Sequence, residues 1–199
     1  MSPVRVFTVE EREALRIKML DAGFSLIKQH GMTHTSVEKI TQAADLGKST
    51  FYNFFDSKEH FVLEIIEYQR DRMRQYFDTL LDGRDKLPVA EAKEYLKLII
   101  FHQDSIYQYL TEADEEKLRA VMLKDGKNKP EPENHTFRTL LSHMEGVRPD
   151  VNMRVTVNLI RMMAIALYHK TELYEDALDE TLSCIYDLIF SRIFSENTE

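Results

Sequence analysis

From Thr35 to Glu59 the chain reads TSVEKITQAADLGKSTFYNFFDSKE, which predicts a short helix, a tight turn, a second short helix and the start of a third. Val37, Ile40 and Ala44 recur at the spacing of one helical face. Thr35 followed three residues later by Glu38 has the form of a capping box, so the first helix is expected to begin at Thr35. Asp45-Leu46-Gly47 supplies the turn. Lys48, Ser49, Thr50, Tyr52 and Asn53 then make a polar front, with Phe51 and Phe55 four residues apart on the other side. Asp56 or Ser57 is positioned to cap the helix that follows. A helix with an apolar back and a front of short hydrogen-bonding groups suits a DNA major groove.

Residues 44–59, ADLGKSTFYNFFDSKE, resemble the helix-turn-helix signature of TetR/AcrR-type transcriptional regulators. The flanking TSVEKI and the upstream ALRIKMLDAGFSLIKQHG resemble the rest of that family's N-terminal domain. The likeness covers about residues 10 to 62. It rests on the order Thr-x-x-x-x-Ile, Lys-x-Thr-x-Tyr-x-x-Phe, Ser-Lys-Glu. It implies a homodimeric regulator, usually a repressor, that sits on a palindromic double-stranded operator and is released by a small-molecule effector. It also implies roles for single residues. Thr35 and Ser36 would meet a phosphate at the start of the first motif helix. Lys48, Ser49, Thr50 and Asn53 would face the groove, Lys48 toward guanine O6/N7 and Asn53 toward adenine or a phosphate. Tyr52 and Lys58 match positions that contact the DNA backbone. Two positions depart from the pattern: Gly47 replaces a capping Ser or Thr, and Asp45 replaces a turn glycine.

Composition fits an all-α chain. Six glycines and five prolines among 199 residues are few, and no β-type alternation persists. The 43% hydrophobic and 30% charged content is that of a globular protein. No apolar run approaches the roughly 20 residues of a membrane span, and the N-terminus has no apolar leader core, so no membrane association is expected. A single cysteine fits a reducing cytoplasm. The net charge of −8 needs dividing: residues 1–60 hold eight basic and eight acidic side chains, so the excess acidity belongs to the remainder. A neutral reading domain predicts weak, salt-sensitive non-specific affinity. No GxSxG, HExxH or glycine-rich phosphate loop is present, so neither an enzyme nor a cofactor or metal site is expected. Cys184 is expected on the buried side of the last helix.

In order, residues 1–8 read as a loose arm. The first helix, from Glu10 to His30, has Leu15, Met19, Ala22 and Leu26 as its stripe, and Gly31 ends it. A long helix from Ser57 to about Leu81 has Phe61, Ile65, Met73, Phe77 and Leu80 inward. It would link residues 1–57, the helix-turn-helix domain, to residues 58–199, a helical ligand-binding and dimerisation domain. Further helices are expected over about 88–110, 113–124 and 134–146, with a polar loop over 124–134. About nine helices result. The helix expected over Asp150–Lys170 is apolar on two opposed sides, Val151, Val155, Leu159, Met162 and Ala166 against Met153, Val157, Ile160, Ala164 and Leu167. Such a helix needs two partners. With Glu175–Phe194 it would form a four-helix bundle across a dimer. The expected contacts are Val155, Leu159, Met162, Leu182, Ile185 and Ile189. Phe101, Tyr107, Met122, Phe137, Arg161 and Met163 are candidates to line a pocket for a flat apolar effector. Two alternatives stay open: a DNA-binding regulator whose C-terminal domain only dimerises or docks a protein, and an all-α enzyme or interaction module.

Overall fold

The computed structural model describes residues 8–100, 105–126 and 135–195. Among them are nine α-helices and no named strand: α1 (Val9–His30), α2 (Val37–Ala43), α3 (Lys48–Tyr52), α4 (Lys58–Leu81), α5 (Val89–Ile100), α6 (Glu112–Lys124), α7 (His135–Ser142), α8 (Met153–Tyr168) and α9 (Leu178–Ile193). The all-α reading holds. Two compact units divide the described residues, and they do not follow a single cut in the chain. One holds 8–72 and 105–126, the other 73–100 and 135–195. Helix α4 contributes to both, changing unit after Arg72.

The first unit is built around α1. Thr8, expected in a loose arm, is its N-cap, and a capping box with Glu11 satisfies both ends of that turn. Gly31, at φ +75°, ends the helix as expected. The deepest side of α1 is not the stripe expected from spacing. Met19, Leu20, Gly23 and Ile27 are buried, whereas Ala22 and Leu26 pack at the margin. Gly23 explains the shift. A Cβ there would lie 2.3 Å from Phe61 Cζ, so a bare backbone lets the α4 ring close on α1. Phe61 meets Phe51 and Phe55 at centroid distances of 5.2 and 4.9 Å, the first pair tilted and the second edge-to-face, arrangements that favour aromatic packing.

The helix expected to continue to about Leu110 does not reach it: α5 is described over Val89–Ile100, and a different element follows before Leu110. Ile106–Tyr109 form a 3-10 turn, anchored where Ile106 N donates to Gln69 Oε1 at 3.1 Å. Ile106, Leu110 and α6 Leu118 join the first core. Asp114 is buried with its carboxylate satisfied. Thr111 donates from its hydroxyl (2.8 Å) and backbone (3.1 Å), and Thr33 from its hydroxyl (3.1 Å). Burial opposes this charge, but those hydrogen bonds outweigh it and hold the carboxyl below its ordinary value.

The second unit packs the end of α4 with α5, α7, α8 and α9 around Leu87, Leu96, Met144, Met163, Ile189 and Ile193. Helix α7 ends at Ser142 rather than near Gly146. The chain turns extended there, and Met144 pairs with Leu87 in an isolated parallel bridge. Val147 pairs with Phe194 in an antiparallel one, which ties down the end of α9. Gly146, at φ +67°, permits the turn between them. Tyr95 donates its hydroxyl to Met73 O at 3.1 Å, and burial pushes its pKa up to about 12.

Helix α8 begins at Met153, capped by Asn152, whose side chain accepts from Val155 N at 3.2 Å. Its opposed faces have opposite fates. Met153, Thr156 and Met163 are buried, whereas Val155, Met162 and Ile165 are exposed. On α9, Ile189 has no exposed surface. Leu182 and Ile185 pack against the unit's own core. These three cannot all serve a partner as expected. Cys184 is exposed, which corrects its expected burial, and Leu188 beside it is 42% exposed.

Candidate nucleic-acid interface

Helices α2 and α3 are joined by a turn that depends on one residue. Asp45 takes a left-handed φ of +54°, which a short polar side chain tolerates. Leu46 N then donates to Thr41 O at 2.8 Å. Val37, Ile40 and Ala44 are buried against α1, as their spacing predicts. The N-cap of α2 lies one residue later than the expected Thr35. Ser36 is the N-cap and accepts from Lys39 N at 3.3 Å. Thr35 is instead buried, its hydroxyl donating to Gly31 O at 2.8 Å. Thr35 therefore ties α1 to α2 and exposes no surface for a phosphate.

Gly47 is the N-cap of α3 and makes no side-chain cap bond. Phe51 is fully buried beneath it, and Phe55 nearly so. On the other side Lys48, Ser49, Tyr52 and Asn53 are exposed and Thr50 is half-buried, so the expected front exists. Two basic residues fix its base. Arg12 donates to Asn53 O at 2.7 Å and stacks its guanidinium 4.3 Å above Phe54, which pins the end of α3 to α1. Lys58 donates to Met32 O at 2.9 Å. Ser57 caps α4, its hydroxyl accepting from His60 N at 3.2 Å. Arg12 has no counterpart among the residues expected to matter; only the fold brings it 41 positions along the chain to Asn53.

Glu38 was expected to complete a cap. It instead forms an ion pair with Lys48 across the turn. That hydrogen bond is the main cause of opposite shifts: the Glu38 carboxyl is held below its ordinary value and the Lys48 ammonium above its own.

The expected effector residues fall in different units. Tyr107 and Met122 belong to the first, Phe137, Arg161 and Met163 to the second, and Phe101 lies outside the described residues. Met163 is core, Tyr107 is 45% exposed, and Arg161 is exposed. The second unit does contain a cleft of about 900 Å³ between α5 and α9, bordered by Lys93, Glu94, Lys97, Leu182, Tyr186 and Phe190. None of the five described candidates, Tyr107, Met122, Phe137, Arg161 and Met163, lines it. Among the described residues no group of His, Cys, Asp and Glu is arranged to hold a metal ion, and no helix is long and apolar enough to cross a membrane.

Two short helices at a fixed turn, braced by a third and presenting a polar front, define a helix-turn-helix domain. Residues 19–65 match the bacterial regulatory proteins of the tetR family. The HTH-type transcriptional repressor DhaR of Mycobacterium sp. (strain GP1) is 27% identical over 89 residues, 45% of each chain. An uncharacterized HTH-type transcriptional regulator in the lacX 3'region of Lactococcus lactis subsp. lactis is 36% identical over 85 residues, 41% of this chain and 42% of that protein. The likeness thus spans less than half the length of these relatives. Among solved structures, native NalD, the secondary repressor of the MexAB-OprM multidrug efflux pump in Pseudomonas aeruginosa, is 18% identical. It superposes with a TM-score of 0.54 over 92% of this chain and 99% of its own. A putative TetR family regulator from Vibrio parahaemolyticus is 21% identical, with a TM-score of 0.51 over 92% and 100%. By sequence, residues 19–65 are similar to the tetR family of bacterial regulatory proteins, and the fold along most of the chain is similar to that of these solved structures. The named relatives are transcriptional regulators, not enzymes.

Proposed function

We propose that this protein is a homodimeric, sequence-specific DNA-binding regulator acting in the cytoplasm as a repressor. Residues 1–57 read the DNA, and residues 58–199 dimerise and receive an effector. The observation that carries the reading is the exposed polar front of α3, Lys48, Ser49, Tyr52 and Asn53, over the fully buried Phe51. Side chains of this kind reach base edges and phosphates in a major groove. Ser36 and Lys58 flank that front, with Thr50 at its margin. The repressor reading draws on DhaR and NalD, both named as repressors.

The exposed apolar residues Val155, Met162 and Ile165 of α8, with Leu188 of α9, support a second copy as partner. Leu159 is half-buried at their edge. A dimer presents two recognition helices to half-sites about one helical turn, ~34–36 Å, apart. The α5/α9 cleft supports a small-molecule effector, whose binding would bias the dimer's spacing through α4.

The test is selection of bound genomic fragments, with and without candidate metabolites. The expected product is a palindrome bound by the wild type, with roughly tenfold or greater loss when Lys48 and Tyr52 are both changed to Ala and the fold is intact. Equal binding by wild type and double variant would overturn the reading.

A further inference from the structure

The basic side chains of the reading domain are engaged in two different ways. Lys39 donates to His34 O, Lys58 to Met32 O and Arg12 to Asn53 O, at 2.9, 2.9 and 2.7 Å. A carbonyl orients a cation and leaves its full charge to act on DNA. Lys48, on the front of α3, is paired with a carboxylate instead, that of Glu38 on α2. Both side chains are more than half exposed, so the pair stands in the solvent that a DNA backbone would replace.

We infer that Glu38 is an internal competitor for Lys48 that raises sequence discrimination. The inference rests on the DNA-binding reading above. A phosphate that takes Lys48 must compete with Glu38 for the same ammonium, and whether the carboxylate is kept or released it faces the same polyanion. An isolated phosphate repays little of this, because one charged contact simply replaces another. A guanine edge offers two acceptors, O6 and N7, in a fixed geometry and compensates more fully. Glu38 therefore weakens non-specific binding more than specific binding. In a domain with eight basic and eight acidic residues over positions 1–60, one masked lysine is a substantial part of the local field. Glu38 is thus a positioning residue, acting on DNA through Lys48.

The experiment measures binding of the full chain to two fluorescent duplexes across a salt series, one from the selected fragments and one of scrambled sequence. Glu38→Gln is expected to tighten scrambled binding about tenfold and selected binding about threefold. It should steepen the log K against log salt slope by about one for each reading domain. The decisive arm repeats the substitution in a Lys48→Met background, where most of the gain should vanish. An equal gain in both backgrounds would mean that Glu38 acts only as bulk negative charge, and the inference falls. It falls equally if Glu38→Gln leaves affinity and slope unchanged while wild type binds the selected duplex normally. If wild type binds neither duplex, the DNA-reading proposal itself fails and takes this one with it. Circular dichroism and thermal melting, expected to stay within a degree or two of wild type, confirm that each variant is folded.

Discussion

Helices α3 and α8 share a design and differ in what they leave uncovered. Each buries one side in its own unit, Phe51 on α3 and Met153, Thr156 and Met163 on α8. Each exposes the other. On α3 the exposed groups are Lys48, Ser49, Tyr52 and Asn53, which can exchange water for another polar partner. On α8 they are Val155, Met162 and Ile165, which gain only by meeting another apolar surface. Exposure alone therefore says little about function. The chemistry of the exposed groups separates a surface suited to nucleic acid from one suited to protein.

The largest effects should come from breaking the backs of these helices. Phe61→Ala removes the ring that closes on Gly23, Phe51 and Phe55. It is expected to cost about 3–5 kcal/mol in chemical denaturation of the first unit. Gly23→Ala, which drives a methyl into the same ring, should cost about 1–3 kcal/mol. If both variants unfold like wild type, α3 is not held as described.

The front of α8 should behave oppositely to its back. Met162→Glu, at a position 65% exposed, should leave the fold intact but raise the dimer dissociation constant a hundredfold or more, as read by sedimentation equilibrium. Met163→Glu, one residue on and 1% exposed, should unfold the second unit. A Met162→Glu variant that stays as dimeric as wild type would show that the exposed face is not the interface.

A smaller effect should come from Asp114, which ties α6 to the turn before α2. Asp114→Asn is expected to cost about 1–3 kcal/mol at neutral pH. Its carboxyl is held below the ordinary value, so this stability is fully present above the unfolded-state pKa of about 3.9 and is lost as the pH falls through the lower folded-state value. Acid titration of stability below about pH 4 should show that component in wild type and not in Asp114→Asn. The smallest change is Gly47→Ser. The backbone at Gly47 is extended and a Cβ there meets nothing closer than 3.8 Å, so a capping hydroxyl should add a few tenths of a kcal/mol to α3. A Gly47→Ser variant that melts below wild type would argue against that geometry.

How legible this was in the sequence depended on distance along the chain. Val37, Ile40, Ala44, Phe51 and Phe55 declare their faces by spacing, because neighbouring turns of a short helix set them. The capping role of Ser36 rather than Thr35 was not legible. Both are hydroxyl residues, and the choice turns on Gly31, whose carbonyl takes Thr35. The reach of α5 and the end of α7 were misjudged for a similar reason. Apolar residues recur after both, but Ile106 belongs to a 3-10 turn and Met144 to a bridge with Leu87. On α9, periodicity marked one apolar stripe without saying which core would claim it. Ile189, Leu182 and Ile185 serve their own unit, and the exposed Cys184 lies outside the side expected to bury it.

By itself, the sequence determined the helical class, the helix-turn-helix with its polar front, and the two-faced character of α8. Each follows from local periodicity and local hydrogen bonding, which act over one or two turns. Tertiary structure alone decided that Glu38 meets Lys48, that Arg12 holds Asn53, that Gly23 admits Phe61 and that Asp114 is buried against Thr33. Those pairings join residues between ten and 81 positions apart. No periodicity encodes them, because they exist only once the packing of the helices has brought these distant residues side by side.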